Sequence, residues 1–90
     1  MEEQLGQELP KELSFGEQLV GLTFNPSGDP KVQKAKELCA QLADLIQGDL
    51  LDKRFSDNPP SDLYRQIHEH AVGEILNAQM NVVKVLTLKY

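Results

Sequence analysis

The residues capable of bond-making chemistry in this 90-residue chain are few, and their spacing works against catalysis. His68 and His70 stand two apart. On a helix turning about 100° per residue they point roughly 200° from one another, so they do not form the i, i+4 pair that grips a metal. Glu74 follows His70 by four residues and is placed for a surface hydrogen bond rather than a metal site. Cys39 falls on an apolar position of a helical pattern, which marks it as a buried structural thiol. No glycine-rich loop runs into Lys-Ser or Lys-Thr to cradle a phosphate. These residues predict a binder, not an enzyme, and imply no cofactor.

Recognition is better provided for. Phe24-Asn25-Pro26-Ser27-Gly28-Asp29-Pro30 is a constrained polar turn: two prolines set φ, Gly28 permits positive φ, and Asn25, Ser27 and Asp29 can bond to local backbone. Such a turn is either a well-made helix connector or a platform for a small ligand. Lys31, Lys34 and Lys36 crowd the start of the helix that follows, where each cation opposes the macrodipole by roughly a few tenths of a kcal/mol. They are either solvated surface lysines or a cluster whose conflict a bound anion relieves. Gly28-Asp29-Pro30 alone is a weak anion signal, because Pro30 lacks an N–H. Gln79, Asn81 and Lys84 interrupt an otherwise apolar terminal helix. They face solvent, or they are satisfied across a subunit interface or by a ligand.

The elements that must position these groups are all helical. Residues 1–13 read as a mobile leader broken by Pro10, although Leu5, Leu9 and Leu13 recur every fourth residue. Ser14-Phe15-Gly16-Glu17 fits a capping box and starts a short helix predicted to reach about Thr23. Asp29 and Pro30 begin a second helix. Its predicted apolar stripe is Val32, Ala35, Cys39, Leu42 and Ile46, widened by Leu38 and Leu45. That helix either ends at Gln47-Gly48-Asp49 or continues through Leu50, Leu51 and Phe55. Asp57-Asn58-Pro59-Pro60 is a break, and Ser61 caps a third helix from about Asp62 to Leu86 or beyond. Leu63, Ile67, Ala71, Ile75, Ala78, Val82 and Val85 follow a near-heptad spacing, with Leu76 and Val83 adding a second apolar side. The expected fold is all-α: a short N-terminal helix, then a long antiparallel helical hairpin over residues 14–90 that associates into an oligomer.

Composition narrows the partners. The net charge is −5 and the pI about 4.9, which disfavours DNA and RNA, whose backbones require a basic face. One cysteine offers no internal disulfide and fits a reducing cytosol. The acidic opening MEEQLGQELPKELS has no secretory apolar run, and no apolar stretch is long enough for a membrane.

Several of these residues together resemble a known family. Phe15-Gly16-Glu17, the run Val20 to Asp29, Val32, Lys36, Ala71, Ala78-Gln79-Met80 and Val83-Lys84 resemble the phage hairpin domain shared by anti-CBASS and Thoeris anti-defence proteins. The likeness spans roughly Ser14 to Thr87. It implies a cyclic-nucleotide sponge, commonly a homohexamer in the host bacterial cytoplasm. Such a sponge sequesters cyclic di- or trinucleotides or cyclic ADP-ribose isomers without hydrolysing them. By position, the resemblance implies that Phe24 stacks on a base and Asn25 bonds its edge or the ribose. Pro26 and Ser27 shape the turn, and Lys36, Lys34 or Lys84 meets phosphate. The competing expectation is a helical protein-interaction module with no nucleotide ligand; a phosphodiesterase that degrades the messenger is a more distant one.

Overall fold

The computed structural model describes residues 12–89. Over them the chain forms α1 (Phe15–Val20), α2 (Pro30–Arg54) and α3 (Asp62–Thr87), with no strand among the described residues. Of the leader expected over residues 1–13, residues 1–11, including the Leu5 and Leu9 positions, lie outside the described residues.

The first helix is short because both its ends are chemically closed. Ser14 Oγ accepts from the Glu17 N–H at 3.1 Å while Glu17 Oε1 accepts from the Ser14 N–H at 2.9 Å, the reciprocal capping box. At the other end Gly21 sits at φ 63°. Its N–H bonds Gln18 O at 3.2 Å and the Leu22 N–H bonds Glu17 O at 3.0 Å, a Schellman closure. The helix therefore stops at Val20 instead of the expected Thr23.

Six residues do not sustain a helix alone, so α1 depends on α2. Asp44 of α2 accepts from Ser14 Oγ at 2.7 Å and from the Gly16 N–H at 2.6 Å, covering the free donors of the α1 N-terminus. The approach is close enough that a Cβ on Gly16 would stand 2.0 Å from the Ala40 carbonyl oxygen. Glycine is required there by contact with a neighbouring backbone.

The second helix opens as expected, with Asp29 Oδ1 accepting from the Lys31 N–H at 2.8 Å and Pro30 in the first turn. It passes straight through Gly48 and ends at Arg54, leaving Phe55 just outside and exposed. Of the two expected endings, the longer one is realised.

Its buried face differs from the predicted stripe. Val32, Lys36, Ala40 and Ala43 are buried, whereas Leu38, Leu42 and Leu45 are exposed and Ala35, Cys39 and Ile46 only half-buried. The cause is steric: the face opposite α1 must be small, and the two alanines supply the room that Gly16 completes. Cys39 is thus less enclosed than a core thiol, although burial still pushes its pKa up.

Ser61 Oγ accepts from the Tyr64 N–H at 3.0 Å and starts α3 as expected. Of the near-heptad positions only Ile75 is buried; Ala71 is half-buried and Leu63, Ile67, Ala78, Val82 and Val85 are exposed. Residues near the start of α3 meet the end of α2, where Tyr64 Oη donates to Asp49 Oδ2 at 2.6 Å. Residues near the end of α3, Val83 and Thr87, share a cavity with Val32 and Lys36 from the start of α2. Two apolar faces, on α2 and on α3, remain uncovered.

Candidate functional site

The Phe24 turn is built by its own side chains. Asn25 Nδ2 donates to Asp29 O at 3.2 Å, and Ser27 Oγ donates to Asn25 Oδ1 at 2.8 Å while accepting from the Asp29 N–H at 3.1 Å. Gly28 takes φ 66° and its N–H bonds Asn25 O at 3.0 Å. Asn25 and Ser27 are thereby committed to holding the loop, as Asx and Ser turns do. The consequence is a stiff support for Phe24, whose ring is 70% exposed.

Lys36 locks the turn from below. It is 6% exposed, and its Nζ donates to Gly21 O at 3.0 Å and also to Phe24 O. The ammonium lies 5.5 Å from the Phe24 ring centroid, within cation–π range. An ammonium has three N–H donors, so two are spent on carbonyls. Lys36 therefore closes the C-terminal end of α1 and fixes where the Phe24 backbone sits. The lysine that the resemblance assigns to phosphate has one donor left for it.

Two cavities flank this arrangement. One of about 160 Å³ is lined by Phe24, Asn25, Pro26, Ser27, Val32 and Lys36, with Val83 and Thr87 of α3. The other, about 420 Å³, shares Phe24, Lys36 and Val83 and adds Val20, Gln79 and Met80 among its walls. The structure thus brings together Phe24, Asn25, Pro26, Ser27 and Lys36, five of the seven residues that the sequence proposes. Lys34 and Lys84 are exposed on α2 and α3 and line neither cavity. Val32, Val83 and Thr87 were not singled out for the site. Val32 and Val83 were marked only by apolar helix faces and by the family likeness, and Thr87 only as the end of that likeness, none of which distinguishes a cavity wall from core.

A second polar region occupies the far end of α2 and α3. Asp49 accepts from Lys53 Nζ at 2.7 Å and from Tyr64 Oη at 2.6 Å, and Lys53 Nζ lies 5.1 Å from the Tyr64 ring centroid. The hydrogen bonds from Lys53 and then Tyr64 hold the Asp49 carboxyl below its usual range. The same bond to Asp49, with some desolvation, pushes the Tyr64 hydroxyl up to about 12. His68 stacks on Tyr64 at 6.1 Å between centroids, and its Nε2 is buried with no partner among the described residues. A cavity of about 460 Å³ opens beside it, lined by Phe15, Leu50, Arg65 and Val72 among others.

His70 and Glu74 meet at 3.4 Å on the surface, both well exposed, as their spacing indicates. Among the described residues no group of three His, Cys, Asp or Glu side chains is placed to hold a metal, and no helix is long and apolar enough to cross a membrane. Comparison of the chain with protein-family models, with curated proteins and with solved structures found no match.

Proposed function

We propose that this protein is a non-enzymatic sponge that binds and sequesters cyclic oligonucleotide immune signals. The ligands would be cyclic dinucleotides, with cyclic trinucleotides and cyclic ADP-ribose isomers as further members of the class. In this reading the protein is encoded by a phage and acts in the host bacterial cytoplasm, silencing CBASS or Thoeris defence by removing the messenger.

The observation that carries the reading is the Phe24 ring, presented to solvent on a turn braced by Lys36 and bordered by two cavities. A large apolar ring held rigidly in water is poorly explained by folding and well suited to stacking on a base, which is worth about 1–3 kcal/mol. The family resemblance of the surrounding sequence supplies the class of ligand. Phosphate contact falls to Lys34, Lys84 and the remaining N–H of Lys36.

The same reading takes α2 and α3 as the antiparallel arms of a hairpin and the molecule as a homo-oligomer, a hexamer in the family it resembles. The exposed Leu38, Leu42 and Leu45 on α2, and Ile67, Val82 and Val85 on α3, form apolar faces that a second copy would cover. Symmetry-related copies would also bring like lysines together, which reconciles an anionic ligand with a net charge of −5. A protein-interaction module would use the same faces but gives the Phe24 turn no task.

Isothermal titration with cyclic GMP–AMP, cyclic di-AMP, cyclic tri-AMP and a cyclic ADP-ribose isomer, followed by recovery of each ligand from denatured protein, tests the proposal. Tight binding with intact ligand is the expected result. Linear products would identify a phosphodiesterase, and no heat with any of the four would leave the interaction module.

A further inference from the structure

One polar side chain in the larger cavity is held by no hydrogen bond among the described residues. Gln79 lies on α3 with 5% of its surface exposed, between the exposed Ala78 and Met80. The residue lines the 420 Å³ cavity together with Phe24, Lys36 and Val83. It makes no side-chain hydrogen bond among the described residues, where the polar side chains of the turn beside it are bonded to one another or to backbone. Among the described residues only His68 Nε2 is a fully buried polar atom without a partner, so the Gln79 amide keeps access to the cavity although the residue as a whole is buried. A carboxamide kept at the wall of an open cavity is therefore placed to bond something that enters it.

We propose that Gln79 is a specificity-determining residue that reads the edge of an adenine base in this cavity; the inference rests on the nucleotide reading above. The amide presents a donor and an acceptor side by side. Adenine offers the matching pair, N7 to accept and the N6 amino group to donate, so that one side chain makes two bonds. Guanine presents acceptors at both N7 and O6 on that edge, so the amide oxygen would face another lone pair. Phe24, in the wall of the same cavity, provides the apolar face on which the base stacks. Stacking alone tolerates any base; the amide supplies the selection.

The test is Gln79→Met, which keeps the length and volume of the side chain while removing both polar atoms. Wild type and variant are titrated with cyclic di-AMP and cyclic di-GMP, and their thermal unfolding without ligand and oligomeric mass are compared at equal concentration. The expected variant keeps or raises its Tm, keeps its mass, and loses at least about fivefold in affinity for cyclic di-AMP while cyclic di-GMP binding changes little. Unchanged affinity for cyclic di-AMP overturns the inference. So does a Tm lower by about 4 °C or more, or an altered mass, either of which would show that the amide is satisfied within the protein or across a subunit contact. If wild type binds no cyclic nucleotide, the sponge reading falls by itself. Gln79 is then judged on adenosine monophosphate: a shift of its side-chain NH₂ resonances, absent with guanosine monophosphate, sustains the adenine assignment, and no shift overturns it.

Discussion

The two ends of the α2–α3 pair use the same chemistry in opposite dielectric settings. At the Phe24 end a lysine is buried, bonded to the carbonyls of Gly21 and Phe24 and covered by an aromatic ring. At the Tyr64 end another lysine is about half exposed, paired with Asp49 and set against another ring. A buried ammonium must have its donors satisfied, so Lys36 is committed and its loop is held rigidly. A solvated ion pair is screened and exchangeable, so Lys53 and Asp49 tie α2 to Tyr64 only loosely. Rigidity is concentrated where the proposed ligand site lies. The far end carries a larger cavity and a histidine whose Nε2 has no partner among the described residues, and among those residues it shows no comparable brace.

Breaking the feature common to both ends should have the largest effect. α1 contributes Phe15 to the far cavity and Val20 to the near one, and Gly16 seats it against Ala40. Gly16→Ala places a methyl group inside the Ala40 carbonyl contact. It should destabilise the protein by about 1–3 kcal/mol or more, read as a lowered urea midpoint. An unchanged midpoint would mean that α1 is not seated on α2 in this way.

Lys36→Met is next and separates the two ends. It leaves the Gly21 and Phe24 carbonyls without their charged donor, a loss of about 1.5–3 kcal/mol for a hydrogen bond of this kind. Hydrogen exchange should accelerate at Gly21 to Gly28 and stay unchanged around Tyr64. Equal acceleration at both ends would remove the contrast between a braced and a loose region.

Phe24→Ala sharpens the contrast further, because the exposed ring contributes little to the fold. The helical circular dichroism and Tm should hold while cyclic-nucleotide affinity drops about 5- to 150-fold, the equivalent of about 1–3 kcal/mol of stacking. Full affinity in the variant would take Phe24 out of the site. Val82→Glu, on the exposed face of α3, should lower the oligomeric mass seen by light scattering; a monodisperse species of unchanged mass would place the subunit contact elsewhere.

The smallest effects belong to the far end and are read by pH. Asp49 is held below the usual carboxylate range by Lys53 and Tyr64, so its contribution is present above the unfolded carboxylate pKa and is lost as pH falls through the lower folded value. Tyr64 is raised to about 12, so its contribution is present below the unfolded tyrosine value near 10 and lost as pH rises through about 12. Tyr64→Phe should remove the late-titrating component from the phenolate absorbance and weaken the acid dependence of Tm. A phenolate titrating wholly near 10 would show that the Asp49 bond does not persist in solution.

Much of the local structure was legible before any fold was known. The Ser14–Glu17 box, the Asp29–Pro30 start, the Asp57–Pro60 break and the Ser61 cap all rest on interactions within about four residues, which spacing alone displays. So did the internal bonding of the turn at Asn25, Ser27 and Asp29. The pattern was less informative about which side of a helix is buried. Leucines 38, 42 and 45 make the obvious stripe on α2, yet the buried face carries Ala40, Ala43 and a lysine. Hydrophobic periodicity finds the greasiest side, whereas the side that packs against a second backbone within the chain must be the smallest.

The sequence by itself determined where each helix begins and where the chain turns, because caps, prolines and glycines act on their own neighbourhoods. Only the tertiary structure decided what Asp44 and Lys36 do and where Gln79 sits. Asp44 covers a helix start 28 residues away, and Lys36 caps a helix end 15 residues before it. Gln79 reaches the wall of a cavity it shares with the Phe24 turn. A polar side chain on a helix has no assigned partner in one dimension. Its role is set by the group that folding brings within hydrogen-bond reach, or by the space that folding leaves open beside it.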